Sequence, residues 1–237
     1  MNRTDTYARP VIFGRWPSRA EAQRDIAERI LKTLSGVESA LGLSLEWSVD
    51  VGGEAEFEFL PFPTDKEPES VNLEPFAKLD DANKVWMKGG LALLLYGRKD
   101  GLPEGGLVSV TGTVGATTRR GNSLKIAFLA DDASKLPASA SLTALVEAVG
   151  EIWNADWIAA LSDEIVEKVD RRADEAGIGL VTYWADSMQP PLPSLDEVSV
   201  RKTATGTLAV VRDLDSERAV AYARKVYSAR SWSHRQS

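Results

Sequence analysis

The side chains able to do chemistry in this chain are almost all carboxylates. Cysteine is absent and the one histidine, His234, lies in the C-terminal tail. Thiolate nucleophiles, zinc–thiolate centres, disulfides and internal Ser–His pairs are therefore excluded, leaving carboxylate, lysine or tyrosine chemistry. The densest carboxylate group is Glu54, Glu56 and Glu58, followed by Asp65, Glu67 and Glu69, with Lys66 as a small offset. Several carboxylate oxygens can hold a hard cation. Alternate residues on one strand stand about 7 Å apart, which is too far to share a small ion without further ligands. Three readings stand for this stretch: a metal-dependent carboxylate enzyme, a solvated strand face, and a docking surface for a basic protein. Asp213-Leu214-Asp215-Ser216-Glu217 has the opening rhythm of a calcium loop, but Arg218 stands where the turn glycine belongs. Helix capping by Asp215 or Ser216 is the better reading. No Gly-rich phosphate loop is present, and Gly112 and Gly115 read as hairpin glycines. No cofactor and no metal are expected.

The elements that must carry these residues follow from periodicity. Ser18 and Glu21 are spaced as a capping box, predicting a helix from about Arg19. Its stripe is Ile26, Ile30, Leu34, Val37 and Leu41, and its stop is Gly42. Leu43 to Val51 alternates as a half-buried strand. Gly52-Gly53 turns it into a return strand, Glu54 to Phe59, with Ala55, Phe57 and Phe59 facing the core. Pro61 to Pro75 reads as an exposed loop and Phe76 to Met87 as a short helix, followed by a buried strand, Leu91 to Tyr96. Leu107 to Val114 and Leu124 to Leu129 form a hairpin, and helix spacing returns after Ser141. Trp157 to Leu161 fits strand or helix. Ser162 caps a charged helix to Ala176, closed by Gly177, and Ile178 to Trp184 is a strand. The loop from Met188 to Pro193, a hairpin of Val198 to Lys202 with Thr207 to Val211, and a helix from Ser216 to Arg230 complete the chain. Strand pairs and helices without strict βαβ alternation give an α+β class with a mainly antiparallel sheet, as one domain over 1–237 with 1–10 and 231–237 flexible.

The chain has 237 residues, 43% of them hydrophobic and 27% charged, so an ordinary folded core is affordable. Its formal charge of −7 argues against a nucleic-acid or membrane-surface binder and suits a basic protein partner. The polar start and the lack of a long apolar run make the cytoplasm the expected location. Seven tryptophans are more than an average chain carries; most are expected to be packing residues, and one or two exposed ones would fit an interface.

Several segments together resemble the immunity protein 52 family, antidotes of polymorphic-toxin and type VI secretion effectors. They are Trp16 with Ser18-Arg19-Ala20-Glu21, Ala27-Glu28-Arg29 and Leu34, then Leu45-Glu46-Trp47 and Trp153-Asn154-Ala155-Asp156-Trp157. Gly179 to Tyr183, the Pro190 to Pro193 loop and Gly206-Thr207-Leu208 extend the likeness over nearly the whole chain. The resemblance implies a non-enzymatic antidote that binds a cognate toxin with a restriction-endonuclease-like domain, acting in the cytoplasm. Glu54, Glu56, Glu58, Asp65, Glu67 and Glu69 are then the expected toxin-facing residues. A metal-dependent enzyme and an adaptor for a different partner remain the alternatives, and homo-oligomerisation is left open.

Overall fold

The computed structural model describes residues 10–50, 59–78, 85, 87–99, 108–119, 121–129, 136–169, 176–188 and 195–228. Ten strands form one antiparallel sheet among these residues. They are β1 (Val11–Trp16), β2 (Glu46–Asp50), β3 (Phe59–Pro61), β4 (Leu91–Arg98) and β5 (Val108–Val114). The others are β6 (Asn122–Phe128), β7 (Trp157–Leu161), β8 (Val181–Ala185), β9 (Val198–Lys202) and β10 (Gly206–Val211). The spatial order is β3-β2-β4-β5-β6-β1-β7-β8-β10-β9. Four helices pack on it: α1 (Gln23–Leu41), α2 (Ser139–Ile152), α3 (Asp163–Lys168) and α4 (Ser216–Ser228). The expected α+β class with a mainly antiparallel sheet is what the chain adopts.

Alternation assigns the two sides of β1, β7, β8 and β10 to separate cores, whereas β2, β4, β5 and β6 bury one side only in the first of them. Ile12 and Trp16 of β1, Leu93 and Leu95 of β4 and Leu124 and Ile126 of β6 lie beneath α1 and α2. On the opposite side, Trp157, Ala159, Trp184, Ala209 and Val211 are covered by α3 and α4. The two helix pairs thus cover opposite faces, and α3 with α4 cover the end built from β7, β8 and β10.

Several boundaries differ from the sequence expectation, each for a local reason. Helix α1 begins at Gln23 rather than Arg19, with Ala22 in extended geometry and no side-chain cap. Glu21, the expected partner of Ser18, is drawn instead to the guanidinium groups of Arg19 and Arg29. Gly42 does stop the helix, in left-handed geometry at φ 64°. The 61–75 stretch is no simple exposed loop, because Phe62 and Leu73 are buried and two 3-10 turns, Pro68–Ser70 and Glu74–Phe76, fold it onto the core. Within the expected 76–87 helix, a 3-10 turn starts at Met87, and 79–84 and Trp86 lie outside the described residues. Strand β4 is buried on alternate residues only: Leu93, Leu95 and Gly97 are inside and Ala92 is exposed. Its Leu-rich run reflects two differently packed faces.

Segment 157–161 is a strand. Ser162 caps α3 by accepting from Ile165 N–H, but the helix ends at Lys168, short of Ala176, and Gly177 belongs to the coil before β8. The expected 178–184 strand starts at Val181. Hairpins β5–β6 and β9–β10 are as expected. The sequence reading placed no strand at Val11–Trp16, which is the junction strand of the sheet, paired to β6 on one side and β7 on the other. Of the expected flexible start, only Pro10 is described, and it is buried.

Candidate partner-binding surface

The six carboxylates expected to face a partner divide between two situations. Glu54, Glu56 and Glu58, with the Gly52-Gly53 turn, lie outside the described residues. Of the expected return strand only Phe59 is described; it opens β3, which runs on through Leu60 to Pro61, past the expected end, and pairs antiparallel with Asp50, Val49 and Ser48. Asp65, Glu67 and Glu69 are all exposed. Glu69 is engaged with Arg24 at 2.7 Å, tying this loop to the solvent side of α1. Asp65 and Glu67 thus remain as outward charge beside Lys66. Among the described residues no group of three or more His, Asp or Glu is arranged to hold a metal ion.

The distinctive segments 16–29 and 153–157 meet in space and form one unit. Helix α2 ends in a Schellman arrangement, with Asn154 N–H donating to Glu151 O at 3.1 Å and Ala155 N–H to Gly150 O at 2.9 Å. Asn154 takes the left-handed conformation, φ 43°, which its short amide side chain tolerates. The turn places the Trp153 ring on Trp16, stacked at 5.2 Å with 25° between planes. Trp153 Nε1 donates to Thr33 Oγ1 at 2.9 Å, and that hydroxyl donates to Arg29 O at 2.8 Å. Arg19 lies over Trp16 and donates to Trp153 O at 2.5 Å and Asn154 O at 3.2 Å.

Charge inside this unit balances. The Glu21 side chain, 5% exposed, accepts from Arg29 and forms an ion pair with Arg19 at 3.1 Å. Burial lowers the Arg19 pKa, an effect that Asp156 opposes. Burial likewise lowers that of Arg29, with Arg19 adding to it. The Asp156 carboxyl is raised by burial, with Arg19 opposing. Two guanidiniums and two carboxylates compensate each other beneath the tryptophans, so their chemistry is spent on holding β1, α1 and α2 together.

Tryptophans expected as possible interface anchors are packing residues wherever they are described: Trp16, Trp47, Trp153, Trp157 and Trp184 are each at most 4% exposed. Glu38 of α1 holds Trp47 by accepting from its Nε1 at 3.1 Å. Asp215 caps α4, accepting from Arg218 N–H at 2.8 Å, as read from sequence. Exposed large apolar side chains are scattered over several elements: Leu60, Val85, Leu129, Val166 and Val200. Val166 of α3 is 64% exposed, beside a cavity that no sequence signal singled out, because α3 read only as a charged helix.

No family model matches the chain, and no curated protein matches it. Among solved structures, the T6SS protein PA0821 of Pseudomonas aeruginosa is similar to it with a TM-score of 0.46 and 9% identity, over 85% of this chain and 68% of that one.

Proposed function

We propose that this chain is an immunity protein: a binding protein that neutralises a cognate bacterial toxin with a basic, nuclease-type domain, acting in the cytoplasm. The observation that carries the reading is the closed unit of Trp16, Arg19, Glu21, Arg29, Trp153 and Asp156. The segments that gave the family resemblance form a scaffold whose charges satisfy one another. A protein whose most distinctive residues build the frame presents its function on the surface, and the surface inherits the excess of 35 acidic over 28 basic residues. A nuclease must expose positive charge to hold its substrate, so an acidic inhibitor meets it with favourable long-range attraction. No helix among the described residues is long and apolar enough to cross a membrane, which accords with a protein that meets its partner in water. In this reading Asp65 and Glu67, together with Glu54, Glu56 and Glu58, contribute steering charge.

Co-expression with any nuclease toxin found encoded beside it tests the reading. Cells carrying both genes are expected to grow where cells carrying the toxin alone die, and unchanged killing would refute the proposal.

A further inference from the structure

Strand β9 ends the ten-stranded sheet, and among the described residues only β10 pairs with it. Thr203 N–H donates to Gly206 O at 3.0 Å and Arg212 N–H to Glu197 O at 2.8 Å, so the odd-numbered residues of β9 turn their backbone groups towards β10. The even-numbered Val198, Val200 and Lys202 therefore turn theirs outward. Val198 N–H is taken up by Leu195 O at 3.0 Å, which leaves Val198 O and the backbone groups of Val200 and Lys202 facing off the sheet. Ser199, Val200, Arg201 and Lys202 are all exposed.

An open edge is normally guarded by charges that discourage a second strand. Here those charges are tied back. Arg201, opposite Leu208 on the α2 side of the sheet, donates to Glu147 of α2 at 2.8 Å. Lys202, on the other side by alternation, donates to Asp186 at 2.9 Å. Between them stands Val200, uncharged and 46% exposed. The edge is also complementary to itself. When two copies lie antiparallel about a two-fold axis at Val200, that residue meets its own copy, Lys202 meets Val198 and Arg201 meets Ser199. No like charges stand directly opposite, which is the arrangement that destabilises a strand pair. The backbone fits the same register: Val200 N–H reaches the second copy's Val200 O, Lys202 N–H reaches its Val198 O, and the two-fold repeats both bonds.

We propose that β9 is a dimerisation edge, on which a second copy of this chain adds its own β9 antiparallel about Val200 to make one continuous sheet through both copies. A two-fold pairing of this kind uses both β9 edges and closes. The proposal does not depend on the antidote reading, and its failure leaves that reading untouched. Sedimentation of the full-length chain measures mass against concentration, and hydrogen exchange follows the Val200 and Lys202 amides. The wild type is expected to reach the mass of two chains as concentration rises, with exchange at both amides slowing in step. Val200→Pro removes the central donor and spares the β10 ladder, because that N–H faces off the sheet. Val200→Lys sets like charges opposite each other across the axis. Each is expected to weaken dimerisation by about tenfold or more. A wild-type chain that stays single up to about 1 mM would overturn the proposal. So would a dimer that either folded variant retains at wild-type strength, or one whose Val200 and Lys202 amides exchange as fast as in the single chain. Should Val200→Pro fail to fold, Val200→Lys decides.

Discussion

Glu21 shows how the most chemically suggestive residues of this chain are used. It is nearly buried, pairs with two guanidiniums, and leaves its Oε2 without a hydrogen-bond partner. Glu21→Gln would keep the shape and remove the charge, stranding Arg19 and Arg29. A loss of about 1 to 3 kcal/mol is expected in urea unfolding, the range for breaking hydrogen bonds to charged groups. Tyr222 gives an independent test through pH. Its hydroxyl is buried without a partner, and burial pushes its pKa up from 10.0 to about 12. The unfolded chain therefore ionises this phenol first, so the stability tied to it is intact below pH 10 and is lost as pH rises towards 12. The loss is on the order of 2 to 3 kcal/mol, and Tyr222→Phe should abolish that part of the alkaline slope. Asp156, raised by burial, works at the other end: its contribution is fullest below the ordinary carboxylate pKa and declines as pH rises through its own raised value. None of these roles was visible in sequence, since a carboxylate that meets a guanidinium eight residues on, or a phenol left unpaired, has no local pattern.

At the scale of elements, local periodicity served where an element has one wet face. The stripe of α1 and the hairpin β5–β6 were legible for that reason, while α3 showed itself by its Ser162 cap and the β9–β10 hairpin by its Thr205-Gly206 turn. It failed at β1, a short strand that packs on both sides: Ile12 and Trp16 face α1 and α2, and Phe13 meets Trp157 across the other face. Gly14 within it reads as a breaker, yet the glycine is what lets β7 approach. A Cβ there would lie 2.7 Å from Trp157 O and inside the Ile158 side chain. Gly14→Ala is therefore expected to cost about 1 to 3 kcal/mol, the usual penalty of overpacking, read as a lowered thermal midpoint. The capping box at Ser18 and Glu21 failed for the opposite reason. Its spacing was correct, but the guanidiniums of Arg19 and Arg29 compete for the carboxylate more strongly than a backbone N–H does.

At the scale of the molecule, sheet order is the part that sequence withheld. The junction of β6, β1 and β7 joins segments more than a hundred residues apart, which no window of local pattern contains. The candidate surface was legible only as charge. Asp65 and Glu67 are exposed as expected. Replacing Asp65 and Glu67 with Lys should leave the thermal midpoint nearly unchanged. It should slow association with a basic partner at low salt, with the difference fading as ionic strength rises past about 0.15 M. The central claim, that this protein binds and silences a toxin, is met most directly by one titration: a candidate nuclease toxin, if one is encoded beside it, is assayed for turnover while the purified chain is added. The account predicts that turnover falls in proportion to the added chain and vanishes at equal molar amounts. Undiminished turnover under a large excess of folded chain would contradict it.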